Sequence, residues 1–300
     1  MADARPPVDV VVPFAGTAPA LRALVLRLAT LTTRPGDTIT VADNRGVAGG
    51  TELGKDRVRV VEAAGRRGSY HARNAAARRG AAPWLLFVDG DVEPAADLLD
   101  RLFDPEPGAR TAILAGAVVD QPPPSGERGP VALRYAWLKS SMSQEVTLGH
   151  GRWAFAQTAN CAVRRAAFEA AGGFRDELRS GGDADLCFRL AAAGWELERR
   201  PGAAVTHRNR TTVPRMLAQR FRHGAGAAWL DREHPGSFPA RSWPGLALWS
   251  ARRAVAGTRA LARGDRDGAI TGLLDGPAVW AVELGRRLPN RSFGPGRHRP

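Results

Sequence analysis

Asp89 and Asp91 stand one glycine apart at the end of an apolar run, in the stretch Leu85–Pro94 (LLFVDGDVEP). Carboxylates are hard oxygen ligands suited to Mg²⁺ or Mn²⁺, ions that keep open positions for phosphate oxygens. Alternate residues of an extended chain face one side, so the two acids can serve one metal and one nucleoside diphosphate together. The competing reading is that both cap a helix starting near Pro94, and the local pattern alone favours that simpler role.

Three further positions invite chemistry. In Arg179–Leu186 (RSGGDADL) a glycine-rich approach leads to Asp183 at the start of an expected helix. Asp183 reads either as an N-cap or as a base taking a proton from an alcohol. His207 ends the apolar run Ala203–Thr206 and precedes Arg208 and Arg210, which suits a structural imidazole, a metal ligand or a diphosphate contact. Asp43 closes the run Thr38–Ala42. Two rival motifs fail: a haloacid-dehalogenase-like phosphatase needs Thr or Val where Glu93 stands, and an EF-hand loop needs Gly where Pro94 stands.

The flanking pattern supplies elements to hold these residues. Strands are expected at Val8–Pro13, Thr38–Ala42, Val58–Glu62, residues 84–88 and Ile113–Val119, with helices at Ala18–Leu31, Ser69–Gly80 and Ala95–Phe103. Alternation of this kind predicts an α/β, mostly parallel, doubly wound sheet. Ligands bind such a sheet at the carboxyl ends of its strands, where Pro13, Phe14, Asp43, Asp89 and Asp91 all emerge. Gln121–Pro130 is expected to be a loop, and Ala162–Ala171 and Ala184–Ala193 helices. Trp195–His207 reads as a hairpin-like pair turning at Pro201-Gly202. From Pro214 the chain reads as helical, basic and tryptophan-bearing, including Ser242–Ala262 and Ala269–Leu288, with Pro289–Pro300 a disordered end. The implied organisation is residues 1–120 for the nucleotide half, 121–212 for the acceptor half and 213–300 for a helical extension.

The hydrophobic share of 44% is ample for a core. Residues 199–300 hold 19 arginines against 6 acids and carry the whole net charge of +13. Such a tail suits an anionic membrane surface or substrate; without a recognition motif, nucleic acid is not expected. Ordinary packed helices compete with an interfacial segment as the reading of the tail. No run reaches the roughly 18 apolar residues of a spanning helix, and an acid and two prolines occupy the start, so a cytoplasmic location is expected. Cys161 and Cys187 have no metal or disulfide spacing.

Taken in order, these residues resemble glycosyltransferase family 2, the inverting transferases of the GT-A fold, from about Val8 to about Trp229. VDVVVPFAG is similar to the family's first strand and nucleotide loop, with Pro13 and Phe14; VADN matches with Asp43 at the nucleobase. Arg73-Asn74 in GSYHARNAAARRG matches the element beside base and diphosphate, and FVDGD the metal motif, with Asp89 toward the ribose and Asp91 on the metal. Asp183 falls on the catalytic base, and His207 on a metal- or phosphate-contacting histidine. Gly182 departs from the pattern, which usually has glutamate there. The segments HRNRT and FRHGAGAAWLDREHPG are similar to the branch associated with mycofactocin maturation in actinobacteria. The resemblance implies Mg²⁺ or Mn²⁺, a nucleoside-diphosphate sugar, and a hydroxyl acceptor that is a peptide-derived redox cofactor, lipid-linked or a glycan. A catalytically degenerate binder of a nucleotide sugar or anionic polymer is the alternative, favoured by Gly182.

Overall fold

The computed structural model describes residues 5–49, 57–124 and 129–292. Residues up to Val118, 144–207 and those from Arg291 form one compact unit, while 119–143 and 208–290 form another. Residues 121–143, grouped by sequence with the acceptor half, thus cluster with the C-terminal helices.

The first unit begins with β1 (Val8–Phe14), α1 (Ala18–Leu28), β2 (Thr38–Asp43), β3 (Arg59–Glu62), α2 (Ser69–Ala77) and β4 (Trp84–Val88). Strand β1 pairs in parallel with β2 and β4, and β2 with β3. The central strands are continuous apolar runs because both faces are covered. Asp9 is the exception; 2% exposed, it pairs with Arg165 and accepts from Thr38 Oγ1 at 2.6 Å and the Ala82 amide at 2.9 Å.

Next come β5 (Val92–Pro94), α3 (Leu98–Leu102), β6 (Thr111–Asp120), α4 (Val131–Leu138), α5 (Gln144–Leu148), β7 (Asn160–Arg164), α6 (Arg165–Ala170), α7 (Gly182–Ala192) and β8 (Glu196–His207). The sheet order is β3-β2-β1-β4-β7-β6-β8-β5. Its parallel part is β3-β2-β1-β4; β7 runs antiparallel to β4 and β6, and β5 to β8. Fully buried Asn160 stitches this half, donating from Nδ2 to the carbonyls of Ala117 at 2.9 Å and Ala203 at 2.8 Å. A Cβ on Gly116 would overlap that amide, so only glycine fits there.

Several expected elements differ. The helix expected at Ala95–Phe103 is shorter, beginning at Leu98, and Pro94 ends a strand instead of opening a helix. The front of the expected helix Ala162–Ala171 is strand β7. The expected hairpin at Trp195–His207 is one twelve-residue strand running through Pro201-Gly202. The expected disordered end is tied down at its start: the Ser292 amide donates to Glu177 O at 2.7 Å, and Arg291 bridges Leu178. Residues 293–300, and 125–128 of the expected loop, lie outside the described residues.

The second unit contains α4, α8 (Val213–Glu233), α9 (Trp243–Ala262) and α10 (Arg266–Gly285). Ala132, Tyr135, Met216, Ile270 and Ala278 form its core. Helix α10 meets α8 at Gly224 and Gly285, and α9 at Gly257 and Gly272, so closely that a Cβ on any of them would overlap the facing backbone. Asp275, 5% exposed, is neutralised by Arg253 at 2.9 Å and Lys139 at 3.3 Å and accepts from Tyr135 Oη at 2.9 Å. Trp280 donates to Ser250 and stacks edge-on against Trp243, which Arg287 covers at 4.4 Å. These tryptophans serve helix packing. Among the described residues no helix is long and apolar enough to cross a membrane.

Candidate functional site at the strand ends

Because β1, β2 and β4 are parallel, Phe14, Asp43 and Asp89 leave the sheet at one edge. The turn Asp89-Gly90-Asp91 carries the chain from β4 into β5, whose Val92 lies in register opposite His207 of β8. This pairing brings the last residue of β8 to the Asp89-Gly90-Asp91 turn: His207 Nε2 is 3.5 Å from Asp91 Oδ1. Gly90 sits where the backbone crosses the end of β1, since a Cβ there would approach Pro13 O to 3.2 Å. Its carbonyl accepts from Arg27 Nη2 of α1 at 2.6 Å, an anchor with no signature in the sequence. With the next helix beginning at Leu98 after Asp97, neither Asp89 nor Asp91 is a helix cap.

Arg73, 4% exposed on α2, forms an ion pair with Asp89, and its Nε has no hydrogen-bond partner among the described residues. Its neighbour Asn74 has a scaffold role. The Asn74 amide donates to Phe174 O at 2.7 Å and Asp176 Oδ1 at 2.6 Å and accepts from the Phe174 amide at 3.1 Å. Asp176, which the sequence did not single out, also meets His71 Nδ1 at 2.7 Å. Asp43, fully buried, accepts from the amides of Arg45, Gly46 and Ala48 at 2.8–3.1 Å and so folds the loop after β2. Both residues lie where the sequence places them, with their polar atoms engaged by the protein itself. A separate groove of about 500 Å³ on the other face of α2 is lined by Glu62, Ala63, His71, Arg78 and Arg79 and by none of the expected site residues.

On the acceptor side, Gly181 enters α7 with φ +81°, a left-handed conformation that favours glycine. Two acids follow, and the structure separates their roles. Asp185 is fully buried and bound by Arg189, with Nε at 3.0 Å and Nη2 at 2.9 Å, and by Arg175 at 3.4 Å. Asp183 is half-buried and, among the described residues, has no salt bridge of its own. Burial pushes its pKa up; the Arg73 guanidinium pulls the other way and the Asp89 charge adds to the rise. The glycine-rich approach also suits an N-cap, but Asp183 lies inside the first turn, where it accepts from the Ala184 amide at 3.1 Å and meets the Tyr70 hydroxyl at 3.4 Å.

Among the described residues no three His, Cys, Asp or Glu side chains converge on one metal position. Asp91 and His207 nevertheless fit a Mg²⁺ or Mn²⁺ ion that draws its other ligands from a diphosphate and water. His207 is 5% exposed, its Nδ1 is buried without a partner among the described residues, and 3.5 Å makes its contact with Asp91 at best a weak hydrogen bond. The fold therefore does not satisfy this imidazole.

This mixed sheet, parallel from β3 to β4 and antiparallel beyond, with acids at the ends of its parallel strands, is that of a GT-A fold. The glycosyl transferase family 2 model matches residues 9–172, more than half of the sequence, and the model of glycosyl transferase family group 2 matches 131–262. The chain belongs to glycosyltransferase family 2. It is 32% identical over 173 residues to the pre-mycofactocin glycosyltransferase of Mycobacterium tuberculosis (strain H37Rv), a match covering 56% of this chain and 36% of the relative. It thus spans about a third of that relative's length. Glycosyltransferase AglE of Haloferax volcanii is 28% identical over 221 residues, 70% of this chain and 68% of AglE. The mannosyltransferase PcManGT from Pyrobaculum calidifontis, solved in complex with GDP-Man and Mn²⁺, shares the fold with a TM-score of 0.59 at 18% identity, over 93% of this chain and 88% of that one.

Proposed function

We propose that the chain moves a hexose from a nucleoside-diphosphate sugar to an acceptor hydroxyl by one inverting displacement, with Asp183 as general base and Asp91 and His207 holding Mg²⁺ or Mn²⁺. The observation that carries this reading is Arg73, which pairs with Asp89 and lies 5.5 Å from the ring of Tyr70, whose hydroxyl reaches toward Asp183; this supports taking the donor-side and acceptor-side acids as one site. Asp89, fixed by that pair, has lone pairs left for a ribose hydroxyl. Pro13 and Phe14 stand at the end of β1, beside that turn. Asp183 accepts the proton of the attacking hydroxyl, and its raised pKa moves it toward the range in which a base works best. Attack from the face opposite the departing diphosphate inverts the anomeric carbon. A bound divalent ion supplies charge neutralisation for that leaving group. The GDP-Man and Mn²⁺ of the solved neighbour support the choice of donor class and ion. The relation to the pre-mycofactocin glycosyltransferases supports a peptide-derived acceptor over a lipid-linked one or a glycan.

Titrations of Mn²⁺ with GDP-mannose or UDP-glucose test the metal pair. Asp91→Asn and His207→Ala are each expected to weaken metal-dependent nucleotide binding at least roughly tenfold, the loss that even an outer-shell partner of a metal site causes. Unaltered binding in both variants removes the metal assignment.

Peripheral contact with an anionic membrane belongs to the same reading, supported by α9. That helix has three arginines and no acid. Leu248 and Val255, 55% and 49% exposed, lie two turns apart on one face with Arg252 and Arg259. Trp243, at the start of the helix, is exposed as well, at 42%. Leu248→Glu with Val255→Glu is expected to abolish co-sedimentation with phosphatidylserine vesicles; equal sedimentation of parent and variant rejects the contact.

A further inference from the structure

Position 182 is glycine for a reason visible in the fold. A Cβ there would lie 2.8 Å from Cε2 and Cζ and 2.9 Å from Cε1 of Tyr70, closer than non-bonded carbons approach. The hydroxyl end of the Tyr70 ring therefore fills the space that any side chain at 182 would need. Tyr70 is 6% exposed and held from several sides: Phe174 packs on it with centroids 5.4 Å apart, and the Arg73 guanidinium lies 5.5 Å from its centroid. Its hydroxyl lies 3.4 Å from Asp183 Oδ1, a long contact that a small rotation of the carboxylate shortens, and the backbone amides of Gly182 and Asp183 act on its oxygen.

We propose that Tyr70 is a positioning residue for the base: wedged against Gly182, it donates its hydroxyl proton to Asp183 and so fixes the direction of the carboxylate and favours its ionised form. This rests on the reading of Asp183 as base. A hydrogen bond donated to the charged form lowers a carboxyl pKa, which opposes the effect of burial. The Ala184 amide also donates to Asp183 Oδ1, at 3.1 Å, but among the described residues no other side chain around the carboxylate does. Arg73 of α2 is committed to Asp89, and Asp89 beyond β4 repels. Cys161 of β7 and Cys187 of α7 are thiols whose pKa burial pushes up, the latter to about 12. Asp185 is bound by Arg175 and Arg189. Burial and the Asp183 charge push the phenol's pKa upward, so Tyr70 keeps its proton and remains a donor.

The test is a ¹³C carboxyl titration of the full chain, with the Asp183 resonance identified by its loss in Asp183→Asn. In Tyr70→Phe the Asp183 titration is expected to move up by at least about half a pH unit, and release of nucleoside diphosphate from GDP-mannose or UDP-glucose with Mn²⁺ to fall while nucleotide affinity holds. Gly182→Ala, which displaces the ring but keeps the hydroxyl, is expected to move the titration the same way. An Asp183 titration unchanged in both variants, with thermal unfolding still cooperative, overturns the role of Tyr70. If instead the titration moves but Asp183→Asn retains full turnover, the contact stands and the base assignment fails. Partial recovery of turnover when Gly182→Glu is combined with Tyr70→Ala, relative to Gly182→Glu alone, is the further expected result; its absence counts against the wedge.

Discussion

Asp183→Asn is expected to lower turnover by roughly 10²- to 10⁴-fold, the usual contribution of a general base, with metal-dependent nucleotide binding within about twofold of the parent. The same substitution is expected to raise the melting temperature at neutral pH. In the folded protein burial lifts the Asp183 pKa above its unfolded value, so folding favours the neutral acid. The associated stability is complete below the ordinary carboxylate range and is lost as pH rises through the raised folded value. Asparagine never ionises, so its advantage over the parent grows with pH and vanishes in acid. Melting curves against pH, read beside rates of nucleoside diphosphate release, check both parts. Turnover above one tenth of the parent's, or a variant less stable than the parent at neutral pH, contradicts the assignment.

Gly285→Ala is expected to destabilise the helical unit by about 1–3 kcal/mol, the cost of overpacking a close contact. The sign is informative, because glycine to alanine inside an unencumbered helix gains about 1 kcal/mol. Here a Cβ on Gly285 would overlap the carbonyl of Phe221, and one on Gly224 the carbonyl of Val282. Backbone cannot step aside as a side-chain tip does; α8 and α10 must separate. Since both glycines serve one crossing, Gly224→Ala added to Gly285→Ala is expected to cost less than it does alone, a departure from additivity diagnostic of a shared contact. Gly202→Ala, where a Cβ meets nothing within 4 Å, is the neutral control. Thermal or urea unfolding of the four variants measures the cycle, and additive or stabilising effects exclude the close crossing.

The strand-end part of the candidate site, Asp43, Asp89, Asp91 and His207, was legible in position because there a local pattern and a topological rule agree. The turn Asp89-Gly90-Asp91, the acid Asp183 and His207 all lie where the sequence places them. The element after the turn was not legible: Pro94 two residues beyond an acid resembles a helix start, yet β5 exists only because β8 pairs with it. Strand β8 misled for a related reason. Pro201-Gly202 reads as a turn, but β5 pairs only with Val205–His207 of β8, leaving the edge beyond without that partner, where a residue lacking an N–H is tolerated. The five residues of β7 (NCAVR) are too short and too mixed for their pattern to separate a buried strand from a helix. Arg27, Tyr70 and Asp176 left no mark at all, because their partners lie far off in the chain; the same distance hid the engagement of Asn74 with Phe174 and Asp176.

The Asn74 contacts set a rule for recombining this protein. Helix α2 pairs Arg73 with Asp89, yet through Asn74 and His71 it is bonded to residues 174–176, and through Tyr70 it abuts Gly182. A chimera that takes residues 144–207 from a relative to change acceptor choice, while keeping residues 69–77, would strand a buried amide and set a foreign side chain against the phenol. On the proposed roles, a change of acceptor would have to carry α2 with it, and the unit of exchange is this interlocked pair of segments.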